Sequence, residues 1–491
     1  MPMLLNEIRF VAPEIALLAT ALALVLLDIF TRRRKVLVAA SLTGLAISAV
    51  LSLLLWNKQP VSIFYQALWV DPFAVFFKLL FLAIAALVVL CSQDYIVRFE
   101  KFQGEYYALV LFSAVGMMLL AATADLIAIY VSLELSSISL YALAAFLKDE
   151  KSSEAGLKYL LLGAVASAVL LYGMALTFGL TGTTKLADIA GAMGALSSGE
   201  LVQNPAVLIC MVLLAAGFGF KIASFPFHMW VPDVYEGAPT PITAYLSVAS
   251  KAAGFAIILR VFSVAFGLTP WLNAHWGLLF AVLSAVTMTI GNVVALLQTN
   301  IKRLLGYSSI AQAGYLMVGL ATVGMAAGVD RSGQSGLLFF LVSYTVTNLG
   351  AFGVVIAISN KIGSDMIDDY AGMGKRAPLL ALALTLCLVS LIGLPPTAGL
   401  IAKVYIFSAA VRHGLLWLVV IAVINSCISA YYYLKVVRVM WLGVPISSEG
   451  IPSSWVLRTA LVVCCLLVLI LGVIPGGFVK LAEMATRTLG F

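Results

Sequence analysis

Four lysines and one glutamate sit where the surrounding sequence is apolar enough to cross a membrane: Lys78, Lys221, Lys251 and Lys403, with Glu134. A charge at mid-bilayer depth costs about 3 to 17 kcal/mol depending on how it is measured, so residues of this kind mark ion and proton pathways. An ammonium group stripped of water gives up its proton more readily, and a nearby carboxylate opposes that. For a pair ~7 Å apart at an effective dielectric of about 20, Coulomb's law gives about 2.4 kcal/mol. That energy changes proton occupancy about fiftyfold. Moving such a pair together or apart would load or unload a proton, so the chemistry on offer is proton exchange driven by ionic geometry.

The settings of these residues differ. Glu134 lies mid-span in Ile129-Tyr130-Val131-Ser132-Leu133-Glu134-Leu135-Ser136-Ser137, as a functional acid or as half of a structural ion pair. Lys221 follows Gly217-Phe218-Gly219-Phe220, and Lys251 lies within Ser247-Val248-Ala249-Ser250-Lys251-Ala252-Ala253-Gly254. Small neighbours leave room for water or another helix, whereas a snorkelling lysine sits near a span end. Lys403 follows Pro395-Pro396-Thr397-Ala398-Gly399 by about two turns, again in small company. Lys78, seven residues after Asp71 and near the end of its span, reads as a snorkelling residue outside the path. Lys158 and His228 are further relay candidates. The bland readings are a membrane anchor for Lys158 and a hydrogen-bonded structural residue for His228. Asp233 and Glu236 are expected to cap or pair locally, and His275 and His413, near span ends, carry no signal.

These residues must be held by membrane helices. The 491 residues are 63% hydrophobic and 10% charged, against about 25% charge in a soluble domain, and mean hydropathy is +1.09. A helix needs about 20 apolar residues to cross the hydrocarbon. Fourteen candidates lie near 11–30, 36–55, 72–94, 106–123, 125–147, 156–179, 206–230, 241–265, 273–297, 302–324, 336–359, 378–410, 414–440 and 455–475. The expected fold is therefore all-α, a polytopic membrane protein of about fourteen transmembrane helices. The net charge of +7 is not gathered into a basic stripe with interleaved aromatics, so no nucleic acid partner is expected. If Arg32-Arg33-Arg34-Lys35 is cytoplasmic, alternation places 17 basic residues on that side, including Arg98 and Lys101, and 8 on the other, with four buried. That asymmetry obeys the positive-inside rule and puts both termini outside. The first stretch has its basic cluster after it rather than before it, which reads as a retained helix and not a signal peptide.

A faint internal repeat runs through the spans. Leu135-Ser136-Ser137-Ile138-Ser139 resembles Tyr307-Ser308-Ser309-Ile310-Ala311, and at nearly the same offset Pro226 falls against Pro396. Five spans separate the members of each pair, and an odd number inverts the second copy in the membrane. Proline inside a span frees the carbonyl four residues earlier. Pro226 should free that of Ile222, beside Lys221, and Pro395 and Pro396 those of Leu391 and Ile392. The six cysteines fall in predicted spans and form no CxxC, so no iron–sulfur cluster or other metal site is expected. Gly217-x-Gly219 lacks a third glycine and Gly372-Met373-Gly374-Lys375 lacks P-loop spacing, so no nucleotide or other cofactor site is expected and the energy must come from partner chains or an ion gradient.

The run Phe220-Lys221-Ile222-Ala223-Ser224-Phe225-Pro226-Phe227-His228-Met229-Trp230-Val231-Pro232-Asp233-Val234-Tyr235-Glu236-Gly237-Ala238-Pro239-Thr240-Pro241 closely resembles the subunit N family of proton-translocating NADH:quinone oxidoreductase, respiratory complex I. The corresponding mitochondrial and plastid subunits are relatives in that family. Further likeness lies in Ile301-Lys302-Arg303-Leu304-Leu305-Gly306-Tyr307-Ser308-Ser309-Ile310, Gly393-Leu394-Pro395-Pro396-Thr397-Ala398-Gly399 and Tyr431-Tyr432-Tyr433-Leu434-Lys435, within about residues 70–440.

The resemblance implies one membrane domain. Peripheral helices 1–3 would occupy 1–103, two inverted five-helix repeats 104–268 and 269–440, and helix 14 the stretch 441–491, with helices 7 and 12 broken. It implies a Glu134–Lys221 pair in a first half-channel, Lys251 as central relay and Lys403 in a second half-channel, with Gly306 where an acid would match Glu134. It further implies partners among the membrane subunits of complex I, including neighbouring antiporter-like subunits, in the lipid bilayer of a bacterial cytoplasmic (inner) membrane. NAD, FMN, iron–sulfur clusters and quinone would be on other chains. A subunit of a multi-subunit cation/proton antiporter, or a non-transporting structural membrane subunit, are the alternatives.

Overall fold

The computed structural model describes residues 7–30, 34–96, 102–195, 204–326, 330–445, 447 and 449–489. Arg32, Arg33, Arg98 and Lys101, four of the charges behind the expected orientation, lie outside them. Among the described residues thirteen helices are long and apolar enough to span a membrane, and a fourteenth crossing is built from two shorter pieces. They are α1 (Ala12–Phe30), α2 (Arg34–Leu53), α3 (Pro72–Tyr95), α4 (Gln103–Ala122), α5 (Leu126–Ala144), α6 (Glu150–Thr181) and α7a (Pro205–Ile222), which continues as α7b (Trp230–Gly237). Then come α8 (Thr240–Val264), α9 (Pro270–Ala295), α10 (Ile301–Met325), α11 (Ser332–Ile362), α12a (Pro378–Ile392), α12b (Ala398–Arg412), α13 (Leu416–Leu442) and α14 (Trp455–Val473).

Elements absent from the sequence expectation are small. A hairpin pairs β1 (Val61–Ile63) with β2 (Leu68–Val70), a short helix covers Leu186–Ala195, and α15 (Gly476–Thr486) follows the last span. The expected sixth span at 156–179 starts earlier because the Asp149 side chain accepts from Ser152 N and opens the helix at Glu150. The long 378–410 stretch divides at its prolines into α12a and α12b, since the ring removes a backbone donor.

The two five-helix units match element by element. Asp125 caps α5 by accepting from Ile127 N and Ala128 N, and Asn300 caps α10 by accepting from Lys302 N and Arg303 N. Lone bridges tie those caps to Lys185 and Met366. A Cβ on Gly116 would lie 2.6 Å from Ser136 N, and one on Gly291 2.6 Å from Ala311 N, so α4–α5 and α9–α10 both meet backbone to backbone. The long α6 and α11, of 32 and 31 residues, both end at a left-handed glycine, Gly182 and Gly363. Finally α7a and α12a end in left-handed residues, Ala223 and Gly393, each followed by a cis X-Pro bond, Phe225–Pro226 and Pro395–Pro396. α8, α10 and α11 are buried almost throughout, whereas α1, α6, α13 and α14 turn apolar faces outward.

Two buried ion pairs bind the peripheral helices and correct the reading of Lys78. That residue does not snorkel: it is 1% exposed, and its Nζ lies 2.7 Å from Glu14 Oε1 on α1. A buried partner removes the need to reach water. The sequence hid it because Glu14 sits at a span end, where an acid draws no notice. Arg260 of α8 is fully buried. It grips Asp71 with Nη1 at 2.6 Å and Nη2 at 3.0 Å, and donates to Ala121 O at 2.9 Å.

Candidate functional site

Glu134 is half-buried on α5 and accepts a short hydrogen bond from Ser167 of α6. It forms no ion pair with Lys221 within 4.0 Å. Lys221, in the last turn of α7a, donates instead to Ser137 Oγ at 2.9 Å and Ser136 Oγ at 3.3 Å on α5, two and three residues beyond Glu134. The reason is helical geometry: Glu134 leans towards α6, while Ser136 and Ser137 occupy the buried face of α5. Nor does Lys221 take the carbonyl of Ile222; at this break the visible cap is Trp230 Nε1 donating to Phe220 O at 3.0 Å.

Lys251 stands just after a π-helical turn, Leu246–Ser250, in α8. Such turns displace the side chains that follow and recur at functional positions. Its Nζ donates to both O and Oγ of Ser309 at 2.5 Å, on α10. Ser309 Oγ also accepts from Tyr344 OH at 2.9 Å. One turn beyond Lys251, a Cβ on Gly254 would lie 3.3 Å from Lys221 Cγ, so the stem of one lysine packs on the helix of the other.

Lys403 of α12b turns back to the break. It donates to Ile392 O at 2.8 Å and Leu391 O at 3.2 Å, the carbonyls that the prolines release, and to Ser426 Oγ at 3.1 Å. Its Nζ lies 4.5 Å from the ring centre of Tyr315. No carboxylate lies within 4.0 Å of it among the described residues. Gly306, where an acid would match Glu134, faces Tyr235 and Val231. In the run Thr397-Ala398-Gly399, Gly399 N donates to Ser390 Oγ at 3.1 Å, and the absence of a Cβ lets the two helix pieces meet there.

Between Lys251 and Lys403 lies a polar thread that the sequence reading missed. Ser308, next to Ser309, bonds Tyr433 OH, whose ring packs 4.4 Å from that of Tyr432. Tyr432 OH donates to Asn292 Oδ1 at 2.9 Å, and Asn292 Nδ2 donates to Tyr315 OH at 3.1 Å. Gln312 Nε2 donates at 3.1 Å to Leu391 O, the same carbonyl that Lys403 uses. Buried amides at 292, 312 and 425, within three spans, were the available signal. The tyrosines read as ordinary apolar bulk.

Lys158 belongs to a separate cluster at one end of the molecule. Its Nζ lies 2.8 Å from Glu154 and 2.7 Å from Asp233, and Arg303 bridges Asp233 at 2.8 Å and Glu236 at 2.9 Å. Asp233 and Glu236 thus pair across α6, α7b and α10 rather than locally. His228 sits in the break, its ring 5.6 Å from Phe225, with a buried Nδ1 that meets no protein partner. Among the described residues no group of three or more His, Cys, Asp or Glu could hold a metal ion. What the arrangement can do is hold buried ammonium groups among hydroxyls and carbonyls, across two halves of a repeat.

Residues 122–429 match the family model described as NADH:quinone oxidoreductase/Mrp antiporter, TM. The chain belongs to this family. It is 48% identical over 478 residues to the NADH-quinone oxidoreductase subunit N of Dehalococcoides mccartyi, covering 97% of this chain and 98% of that one. It is 46% identical over 490 residues to the subunit N of Trichlorobacter lovleyi, covering 98% and 97%. Among solved structures it is similar to a chain of respiratory complex I from Thermus thermophilus, at 35% identity and a TM-score of 0.79, covering 95% and 98%. A chain of the Mrp complex from Dietzia shares the fold at a TM-score of 0.83 and 20% identity, covering 98% and 97%. The cis-proline breaks and Lys221, Lys251 and Lys403 fall inside the matched segment.

Proposed function

We propose that this chain is the antiporter-like, proton-translocating subunit N of an NADH:quinone oxidoreductase, moving protons while partner subunits carry electrons from NADH to quinone. Glu134 and Lys221 serve the first half-channel, Lys251 the centre and Lys403 the second, with Lys158 and His228 as further relays. The halves correspond to 104–268 and 269–440, flanked by helices 1–3 within 1–103 and helix 14 within 441–491. NAD, FMN, iron–sulfur clusters and quinone belong to the partner chains. Neighbouring membrane subunits, other antiporter-like chains among them, and the bilayer complete its surroundings. The chain lies in the bacterial cytoplasmic membrane with both termini outside, which the distribution of basic residues supports.

The observation that carries this reading is that the buried Lys221, Lys251 and Lys403 are each hydrogen-bonded to serine hydroxyls or freed carbonyls rather than to a carboxylate. An ammonium locked to a buried carboxylate would hold its proton. One bound to neutral oxygens can pass it on.

The test uses the whole complex from its native membrane, reconstituted into vesicles. Glu134→Ala and Lys221→Ala should each lower the proton-to-electron ratio while the complex assembles. An unchanged ratio in a well-assembled variant refutes the roles. Copurification of flavin and iron–sulfur proteins is expected; their absence, with sodium- or potassium-linked transport, would point to a cation/proton antiporter instead.

A further inference from the structure

The outward faces of α12a and α14 enclose a groove of about 660 Å³ that no transport role uses. Its walls are apolar side chains, among them Leu382 and Leu386 on α12a and Val462 and Leu466 on α14. The helices run side by side from the same end, opening at Pro378 and Trp455. The fourteen steps along the helix from Trp455 to Leu469, at about 1.5 Å each, cover about 21 Å. One leaflet with its headgroup region is about 20–22 Å deep, half of the ~40–45 Å bilayer. The groove thus matches one leaflet, headgroup included, and its walls are mostly apolar.

Its mouth is cationic. Arg458 lines the groove one turn below the exposed Trp455. Its Nε donates to Ser453 Oγ at 2.9 Å, and no carboxylate lies within 4.0 Å of it among the described residues. Arg376, just before α12a, donates Nε to Glu449 O at 3.0 Å and likewise meets no carboxylate among them. Of the described acids nearby, Glu449 is engaged by Lys361 at 3.1 Å, and Asp94 accepts from Ser454 N at 3.3 Å. The first turns of both helices add the positive ends of their dipoles. A guanidinium beside hydrocarbon without an acid is costly, and its fork of donors matches a phosphate bidentately. Basic pockets between membrane helices at the positively charged side bind anionic headgroups.

We propose that this groove binds one anionic phospholipid of the leaflet facing the basic side, its phosphodiester held by Arg458 and Arg376 and one acyl chain laid between α12a and α14. Trp455 marks the depth of the headgroup, as interfacial tryptophans do.

The experiment counts lipids on the intact complex in detergent by native mass spectrometry, then titrates the delipidated complex with phosphatidylglycerol and with phosphatidylcholine. The wild type should keep one more anionic phospholipid than Arg458→Gln and should prefer phosphatidylglycerol at least tenfold, a preference the variant loses. Ala383→Trp, which fills the groove while keeping both arginines, should lose the same lipid. Proton pumping is followed in parallel; because the groove lies apart from the buried lysines, loss of lipid with normal pumping fully supports the site. Equal lipid counts in all three forms, or equal binding of the two lipids, overturn it. So does a Leu466→Cys thiol that a lipid-soluble maleimide cannot reach in the delipidated complex, since a neighbouring protein helix would then fill the groove.

Discussion

Lys251 makes the sharpest demand of any single residue. Its ammonium meets two oxygens of one serine, in a site with no exposure. Arginine in that place keeps a charge but not an exchangeable proton, because guanidinium does not deprotonate at these pH values. Lys251→Arg should therefore cut redox-linked pumping by about tenfold or more, the rate equivalent of about 1.4 kcal/mol. Lys251→Met, uncharged and of similar length, should still assemble, which separates loss of chemistry from loss of fold. Full pumping in the arginine variant would make this lysine a structural cation. The five charges could be located from sequence alone because charge inside an apolar run is conspicuous. Of their partners, the Leu391 carbonyl could be named in advance from the prolines, but Ser167 and Ser309 could not, being ordinary groups that become partners only when separate helices pack together.

At the scale of elements, the break before α12b does more than interrupt a helix. Gly393 closes α12a at φ +91°, and a Cβ there would come 3.0 Å from Lys403 Cδ. Gly363 closes α11 at φ +75°, with nothing within 4 Å of the same added atom. Gly393→Ala and Gly363→Ala should both cost about 1–2 kcal/mol of backbone strain. Only the first should also displace Lys403 and lower the proton-to-electron ratio. Equal pumping in the two variants would show that the glycine serves the backbone alone. Both breaks could be read from the sequence, since proline has one mechanical effect wherever it stands. The sixth span's early start could not, because a polar first turn capped by Asp149 has no hydropathy signal. α15 escaped for a related reason: at Gly476–Thr486 it is too short and too mixed in polarity to resemble a crossing.

At the scale of the molecule, charge ties the first three helices to one another through Lys78 and Glu14, and to α8 through Asp71 and Arg260. Removing one member of a buried pair is costly, about 3–5 kcal/mol, while replacing both with apolar groups is often tolerated. Lys78→Met should therefore reduce the amount of assembled complex, measured by blue-native electrophoresis, and the double variant Glu14→Leu/Lys78→Met should restore it. A double variant as poor as the single would mean the charges serve some purpose besides anchoring. The count of fourteen crossings was visible in the sequence because lipid demands long apolar helices. How they lean on one another was not, since two acids at span ends, Glu14 and Asp71, look like surface residues until the partner helix arrives.

That arrival takes time. Asp71 is grasped by Arg260, 189 residues later in the chain, and also accepts from the Thr488 hydroxyl at 3.3 Å, 417 residues later. At ~5–20 residues per second of synthesis, the arginine emerges from the ribosome about 10 to 40 s after the aspartate. Until then the aspartate has no counter-charge, and the early helices have no fixed seat. Thr488 joins the same carboxylate later still. A chain cut short before Arg260 would leave Asp71 without its counter-charge and the seat of the earliest spans incomplete.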